Sequence, residues 1–197
     1  IRSGAANRHA VALNGIMMVG TNGGAVANSL LSRMDFLRDK LERHFDGGAH
    51  QIDETGIVRR NNTFEITSNG TQNIISRYVN DVAMTVLPNA PIDADTGLPV
   101  PTIAVATDGG VSVIKDDGTV VDIISNSGSA YTPTSFVDID DNYNLIFEQD
   151  SGGRSLMFIP IPSVDRTTVA NDGDRTDKRM LPTSSTGTGL NLIPRFN

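Results

Sequence analysis

The chain has 197 residues, with 16 Lys or Arg against 23 Asp or Glu, and a formal net charge of −7. This acidic balance argues against nucleic acid as a partner, because phosphate binding requires clustered positive charge. Cysteine is absent, which excludes disulfides, thiol nucleophiles and thiolate metal sites. No apolar run approaches the length of about 18 residues that a membrane helix needs, so we predict no membrane partner.

The amino-terminal part of the chain predicts a β-meander. Apolar runs surround Asn14-Gly15 and Asn22-Gly23. Asn-Gly between such runs is a strong hairpin signal, because both residues tolerate the positive φ angles of a tight turn. The predicted strands cover 9–13 and 16–21, and a third begins at Ala25.

Residues 29–45 are predicted to form the one helix of the chain, inserted into the β-rich region. Ser32 and Asp35 resemble a capping box. Apolar residues recur at three- and four-residue spacing, which would place them on one helix face. The positions that we expect to act as a packing or docking face are Leu30, Met34, Leu37 and Leu41.

Three more strands are predicted at 63–67, 74–79 and 82–87, followed by a loop over 88–101 whose four prolines exclude helix and central strand. Residues 102–125 then form a meander of three apolar runs, TIAVAT, VSVI and TVVDII, with turns at Asp108-Gly109 and Asp117-Gly118. A last meander covers 135–161. We therefore predict a mainly β fold over 1–163.

The segment 164–197 is polar and is expected to be an extended tail, ordered only where it meets a partner. Its scattered apolar positions are candidate docking anchors. These are Leu190, Leu192, Ile193 and Phe196.

A Gly-Gly pair separates two apolar runs three times, at Gly23, Gly109 and Gly152. The first interval is twice the second, which at about 43 residues matches one four-stranded propeller blade. The predicted blades are 8–80, which carries the helix, 81–125 and 134–163. Since a closed propeller typically has four to eight blades, three indicate a partial propeller or one completed by other subunits. A β-sandwich of the same meanders is the alternative.

Acidic loops are the candidate metal sites. Alternating oxygen ligands suit Ca²⁺, and they occur at Asp93 and Asp95 and again at Asp138, Asp140 and Asn142. The alternative is that these residues satisfy backbone groups of their own turns. The histidines His9, His44 and His50 show no metal-ligand spacing, and no GxSxG, HExxH or P-loop signature is present.

The stretch 82–124 resembles the blade repeats of β-propeller proteins and is similar to propeller-containing virion proteins of tailed bacteriophages. The resemblance implies a non-enzymatic structural component of a phage tail, nozzle or fibre, located in the virion. Its partners would be other copies of itself or other virion proteins, with no cofactor. The alternative is an extracellular propeller hydrolase or lectin-like binding module with Ca²⁺ in the acidic loops.

Overall fold

The computed structural model describes residues 7–22, 30–45, 48–52, 67–69, 73–126, 133–150, 154–169 and 178–180, which form fifteen strands in three sheets. Sheet I has the order β1-β2-β3-β4-β5-β6 and is antiparallel throughout. Its strands are β1 (Asn7–Leu13), β2 (Ile16–Thr21), β3 (Leu30–Asp35), β4 (Lys40–Phe45), β5 (Gly48–Ile52) and β6 (Thr67–Asn69).

Sheet II has the order β14-β10-β9-β8-β7, and sheet III the order β11-β12-β13-β15. Sheet II contains β7 (Val79–Thr85), β8 (Thr102–Thr107), β9 (Gly110–Ile114), β10 (Val120–Asn126) and β14 (Arg166–Val169). Sheet III contains β11 (Val137–Ile139), β12 (Asn144–Asp150), β13 (Arg154–Pro160) and β15 (Lys178–Met180). The β10–β14 pair is parallel, and the other described pairs are antiparallel.

The predicted mainly β fold of antiparallel meanders is confirmed. The sheets depart from the bounds of the predicted units, because β7 crosses the boundary at 80/81 and β14 returns to sheet II after the strands β11 to β13 of sheet III. Among the described strands, each sheet is open, with two edge strands. A partial propeller and a β-sandwich both share this arrangement. Within the predicted tail, β14 and β15 join the edges of sheets II and III, and residues 181–197 lie outside the described part of the chain.

The predicted helix over 29–45 is wrong, because this segment forms the β3–β4 hairpin with a turn at 36–39. Met34 and Leu41, expected on one helix face, are cross-strand partners. The turn is set by Asp35, whose Oδ1 accepts the backbone N–H groups of Leu37 (3.1 Å) and Arg38 (3.0 Å). A side chain that caps a turn in this way competes with helix formation, and pairing of β3 with β2 favours the strand.

Sheet II lies between the other two sheets and is buried on both faces. Ile103 and Val105 of β8 pack with Met18 and Leu31 of sheet I. The intervening Ala104 and Ala106 belong to a second core, with large sheet III side chains that include Phe147, Met157 and Ile159. Burial on both faces explains why β8 reads as an uninterrupted apolar run rather than as an alternating one.

A polar junction at the start of β7 joins all three sheets. The ladder shifts register between Val79 and Asp81, so Asn80 occupies a β-bulge. Asn80 Nδ2 donates to Asp108 Oδ1 (2.8 Å) and to the Thr134 carbonyl (3.1 Å), while its Oδ1 accepts Asn22 Nδ2 (3.0 Å). These contacts connect segments flanking sheets I, II and III.

Asp81 completes this junction from the next position of β7. Its Oδ2 accepts the backbone N–H of Val137 in sheet III at 3.1 Å, and its Oδ1 contacts His9 Nδ1 in sheet I. Asp81 is buried, and a buried carboxylate is stabilised by such donors.

The segment 74–79 was predicted as a strand, but residues 74–78 are irregular and β7 begins at Val79.

Candidate interaction surface

The Pro-rich loop folds back onto the β3–β4 turn through Arg38. The guanidinium bonds Asp35 Oδ2 through Nη1 (3.1 Å), contacts Asp93 Oδ2 through Nη2, and approaches Asp95 Oδ2 through Nε (3.3 Å). Arg38 and Asp93 are 55 positions apart in the chain. The cation between the acidic residues of this loop is therefore a side chain of the protein itself.

The loop around Asp93 is a small closed hairpin. Ile92 and Pro99 form a β-bridge, and the Asp93 N–H donates to the Leu98 carbonyl at 2.9 Å. Asp93 Oδ1 accepts the N–H groups of Asp95 and Thr96, both at 3.0 Å, and the Thr96 hydroxyl at 3.1 Å. Each carboxylate oxygen of Asp93 thus has donors, as the turn interpretation of this acidic motif predicts.

The ion pair between Arg38 and Asp93 shifts the pKa values of both side chains. The Arg38 guanidinium holds the pKa of Asp93 well below its usual range, and the Asp93 carboxylate raises the pKa of Arg38 above its ordinary value. Hydrogen bonds from Thr96 lower the pKa of Asp93 further. The pair is consequently ionised at neutral pH.

Three exposed apolar residues lie on the two segments that this ion cluster joins. Phe36, Leu37 and Ile92, which we call the apolar tip, are 65%, 55% and 63% exposed. Phe36 and Leu37 come just before Arg38, and Ile92 comes just before Asp93, so the ion contact brings the two segments together. Leu37 also covers Gly15, where an added Cβ would lie 2.6 Å from Leu37 Cγ.

The structure separates the predicted helix-face residues. Leu37 is in the exposed turn, whereas Leu30, Met34 and Leu41 are partly buried strand residues. Leu31, which the helix pattern omitted, is fully buried in the core between sheets I and II. The predicted anchors Leu190, Leu192, Ile193 and Phe196 lie outside the described residues.

The second acidic motif forms a separate turn between β11 and β12. Asp140 Oδ1 accepts the N–H groups of Asn142 (2.9 Å) and Asn144 (2.7 Å). Burial opposes ionisation of Asp140, but these donors and the Asn144 side chain lower its pKa overall. Asp138 is exposed and accepts the N–H of Ile139 at 2.8 Å. In the part of the chain that the structure describes, no three His, Cys, Asp or Glu residues meet as a possible metal site.

A small cleft of about 110 Å³ opens between sheets I and II. Arg33 Nη1 and Glu42 Oε2 form a cross-strand pair at 2.7 Å within it, and His44 Nε2 lies 3.9 Å from Glu42 Oε2. His44, expected at a helix end, is instead buried in β4 with a 1% exposed side chain. Lys115 and Asp116 lie at the sheet II side of the cleft.

The sequence did not predict that Phe36, Arg38 and Ile92 belong to one surface. The Asx turn of Asp93 was recognisable from the DADTG motif, but its cationic partner was not, because only the folded sheets bring residue 38 to residue 93.

None of the described residues lies in a helix long and apolar enough to cross a membrane. No protein-family model matches the sequence, and no curated protein matches it either.

Proposed function

We propose that this protein is a non-enzymatic structural component of a viral particle that acts through contacts between subunits. The proposed setting is the tail, nozzle or fibre of a bacteriophage. The observation that carries the assembly role is that exposed apolar residues lie on both of the segments that Arg38 joins. Of the four large hydrophobic residues exposed among the described ones, three form the apolar tip.

Clustering matters because single exposed apolar residues are normal on soluble proteins, whereas contiguous patches mark interaction sites. Hydrogen bonds and ion pairs also fix the two segments that carry the tip. Arg38 bonds both segments that carry it, and Asn14 Nδ2 donates to the Pro99 carbonyl at the loop base (2.8 Å). A surface fixed before binding loses little conformational entropy when it binds, which favours association.

The viral setting is supported by the resemblance of 82–124 to the blades of propeller-containing virion proteins. A stack of sheets in which the middle one is buried on both faces supplies a rigid frame for such a role. The exposed tip would then be one of the surfaces through which neighbouring subunits meet. Other copies of this chain or other virion proteins are the proposed partners.

The test is the mass of the full chain in solution, measured by light scattering over a range of concentrations. We expect an oligomer whose mass falls when Phe36→Ser and Ile92→Ser are combined. Leu37 is left intact because it covers Gly15. The matched control is Val164→Ser, which changes an equally exposed apolar residue (69%) outside the tip.

Thermal unfolding of each variant checks that the fold is retained; we expect stabilities within about 0.5 kcal/mol of the wild type, because the substituted residues are exposed. A wild-type chain that is monomeric at every concentration contradicts the assembly role. A tip variant with the wild-type mass contradicts the tip as the surface through which the subunits meet. Loss of the oligomer in the Val164→Ser control as well would place the interface elsewhere.

A further inference from the structure

We propose that the apolar tip of one copy receives residues 190–196 of a second copy. The apolar residues of this segment would cover Phe36, Leu37 and Ile92, and Arg195 would lie beside Asp95. The inference rests on the proposed function, because it names the partner of the same surface.

Charge complementarity is the first argument. Four acidic residues, Asp35, Asp39, Asp93 and Asp95, lie within three sequence positions of a tip residue, whereas the cations at such positions are Arg33, Arg38 and Lys40. The Asp95 side chain is 77% exposed, and its contacts with Arg38 Nε and Nη2 are long, at 3.3 and 3.4 Å. This carboxylate is therefore accessible to a further cation.

The segment supplies the complementary features. In a chain of net charge −7, residues 181–197 contain no acidic residue, and Arg195 is their one basic residue. Leu190, Leu192, Ile193 and Phe196 bring four apolar side chains into seven positions around that cation. A set of exposed apolar residues with the exposed Asp95 carboxylate nearby thus complements an apolar segment that carries a basic residue.

The chain between β15 and residue 190 is long enough for the segment 190–196 to extend beyond sheet III. β15 ends at Met180 on the edge of sheet III. The ten residues from there to Leu190 can span up to about 33 to 36 Å. That distance exceeds the width of the sheet, whose four strands lie about 4.8 Å apart, so the segment can reach a neighbouring molecule.

Photo-crosslinking of the full chain tests this contact. Benzoylphenylalanine replaces Phe196, equal amounts of ¹⁴N- and ¹⁵N-labelled protein are mixed, and the crosslinked peptides are identified by mass spectrometry. We expect mixed-isotope crosslinks to residues 36, 37 or 92. Combining Phe36→Ser with Ile92→Ser should lower their yield about fivefold or more, because interface energy concentrates in central apolar anchors. Val164→Ser should leave the yield unchanged.

A charge exchange tests the second part of the contact. Asp95→Lys should lower the crosslink yield, and adding Arg195→Asp should restore it, because the exchanged pair regains opposite charges. Asp117→Lys, at another exposed acidic position, is the control and should have no effect. Failure of the second substitution to restore the yield overturns the Arg195–Asp95 contact.

Crosslinks confined to single-isotope peptides, or directed to other surfaces, overturn the inference. The proposed function is tested separately, by measuring the mass in solution of a chain that carries Leu192→Asp and Ile193→Asp. If this chain keeps the oligomer while the tip variant loses it, the assembly role stands and the segment is not the occupant. If the tip variant keeps the oligomer, the tip is not the interface, and the proposed function loses the observation that carries it; a wild-type chain that is monomeric contradicts the assembly role itself.

Discussion

At the scale of single residues, Arg38 is the cation that the carboxylates of the acidic loop bind. Its guanidinium contacts Asp35, Asp93 and Asp95, and it occupies the place between the carboxylates that alternating Asp residues suggest for Ca²⁺. A carboxylate that already accepts a guanidinium and backbone N–H groups has little capacity left for a metal. The chemistry of this loop is thus set by a residue from another part of the chain.

Replacing Arg38 with Gln should lower the thermal midpoint at pH 7 by about 1 to 3 °C, since partly exposed ion pairs contribute little. The effect should depend on pH. Because Arg38 depresses the pKa of Asp93, the contribution is fully present well above the unfolded pKa of about 3.9 and is lost as the pH falls through the lower pKa that Asp93 has in the folded protein. Wild-type and variant midpoints, measured by calorimetry, should therefore begin to converge below about pH 4 and should meet only at still lower pH.

The double-mutant cycle with Asp93→Asn is the control for this effect. Removing Arg38 should cost less in the Asp93→Asn background than in the wild type, because the two side chains interact directly. Additive losses, or a difference between wild type and Arg38→Gln that stays constant down to pH 3, would show that the pair does not stabilise the fold in this way.

Calcium should leave the thermal midpoint unchanged at millimolar concentration. The Asp93 and Asp140 carboxylates already accept hydrogen bonds from their own loops. A calcium concentration 100 times the Kd of a site would raise the free energy of unfolding by about 2.7 kcal/mol. In a chain of this size, that corresponds to a rise of several degrees in the thermal midpoint. Magnesium at the same ionic strength is the control, and a rise with calcium alone would restore the binding-module alternative.

At the scale of strands and turns, sheets I and II approach closely where β2 passes β7. A Cβ added at Gly20 would lie 2.4 Å from Cγ1 of Val79, which is fully buried and, as a β-branched residue, has little rotamer freedom. The bulge at Asn80 follows immediately in β7. The absence of a side chain at Gly20 therefore permits the close contact on which the polar junction depends.

Gly20→Ala should destabilise the protein by about 1 to 3 kcal/mol through overpacking. The same substitution should cost less in a Val79→Ala background, because the collision with Val79 Cγ1 is removed and only the 3.2 Å contact with the Cβ of residue 79 and the 3.4 Å contact with Val82 Cγ2 remain. Denaturant unfolding of the two single variants and the double variant measures the difference. Equal costs of Gly20→Ala in both backgrounds would contradict the proposed collision with Val79.

What the sequence could predict differs between elements for physical reasons. Strands β8 and β9 were predictable because apolar runs flank the local turn signal Asp108-Gly109. The β3–β4 hairpin was not, since its residues fit a helical period equally well and only pairing with β2 and β5 decides between the two. The tip was missed for the same reason, because its halves meet through a contact between residues 38 and 93.

At the scale of the whole molecule, sheet II holds the described structure together. One face of β8 belongs to the core with sheet I and the other to the core with sheet III. Exposing a β8 amide therefore requires both cores to open, whereas an edge strand can detach after losing one ladder. This difference should be visible in the free energies of local opening.

Hydrogen exchange followed by NMR should find the slowest amides in β8 and β9, at Ile103, Val105, Val111 and Val113. Within the described part of the chain, the edge strand β14 pairs with β10 alone, so its amides should exchange through local opening at a rate that denaturant barely changes. The β8 amides should instead follow global unfolding and accelerate as denaturant is added. Equal protection in β8 and β14 would mean that the sheets do not unfold in this order, and that the middle sheet is not the stable frame from which the apolar tip is presented.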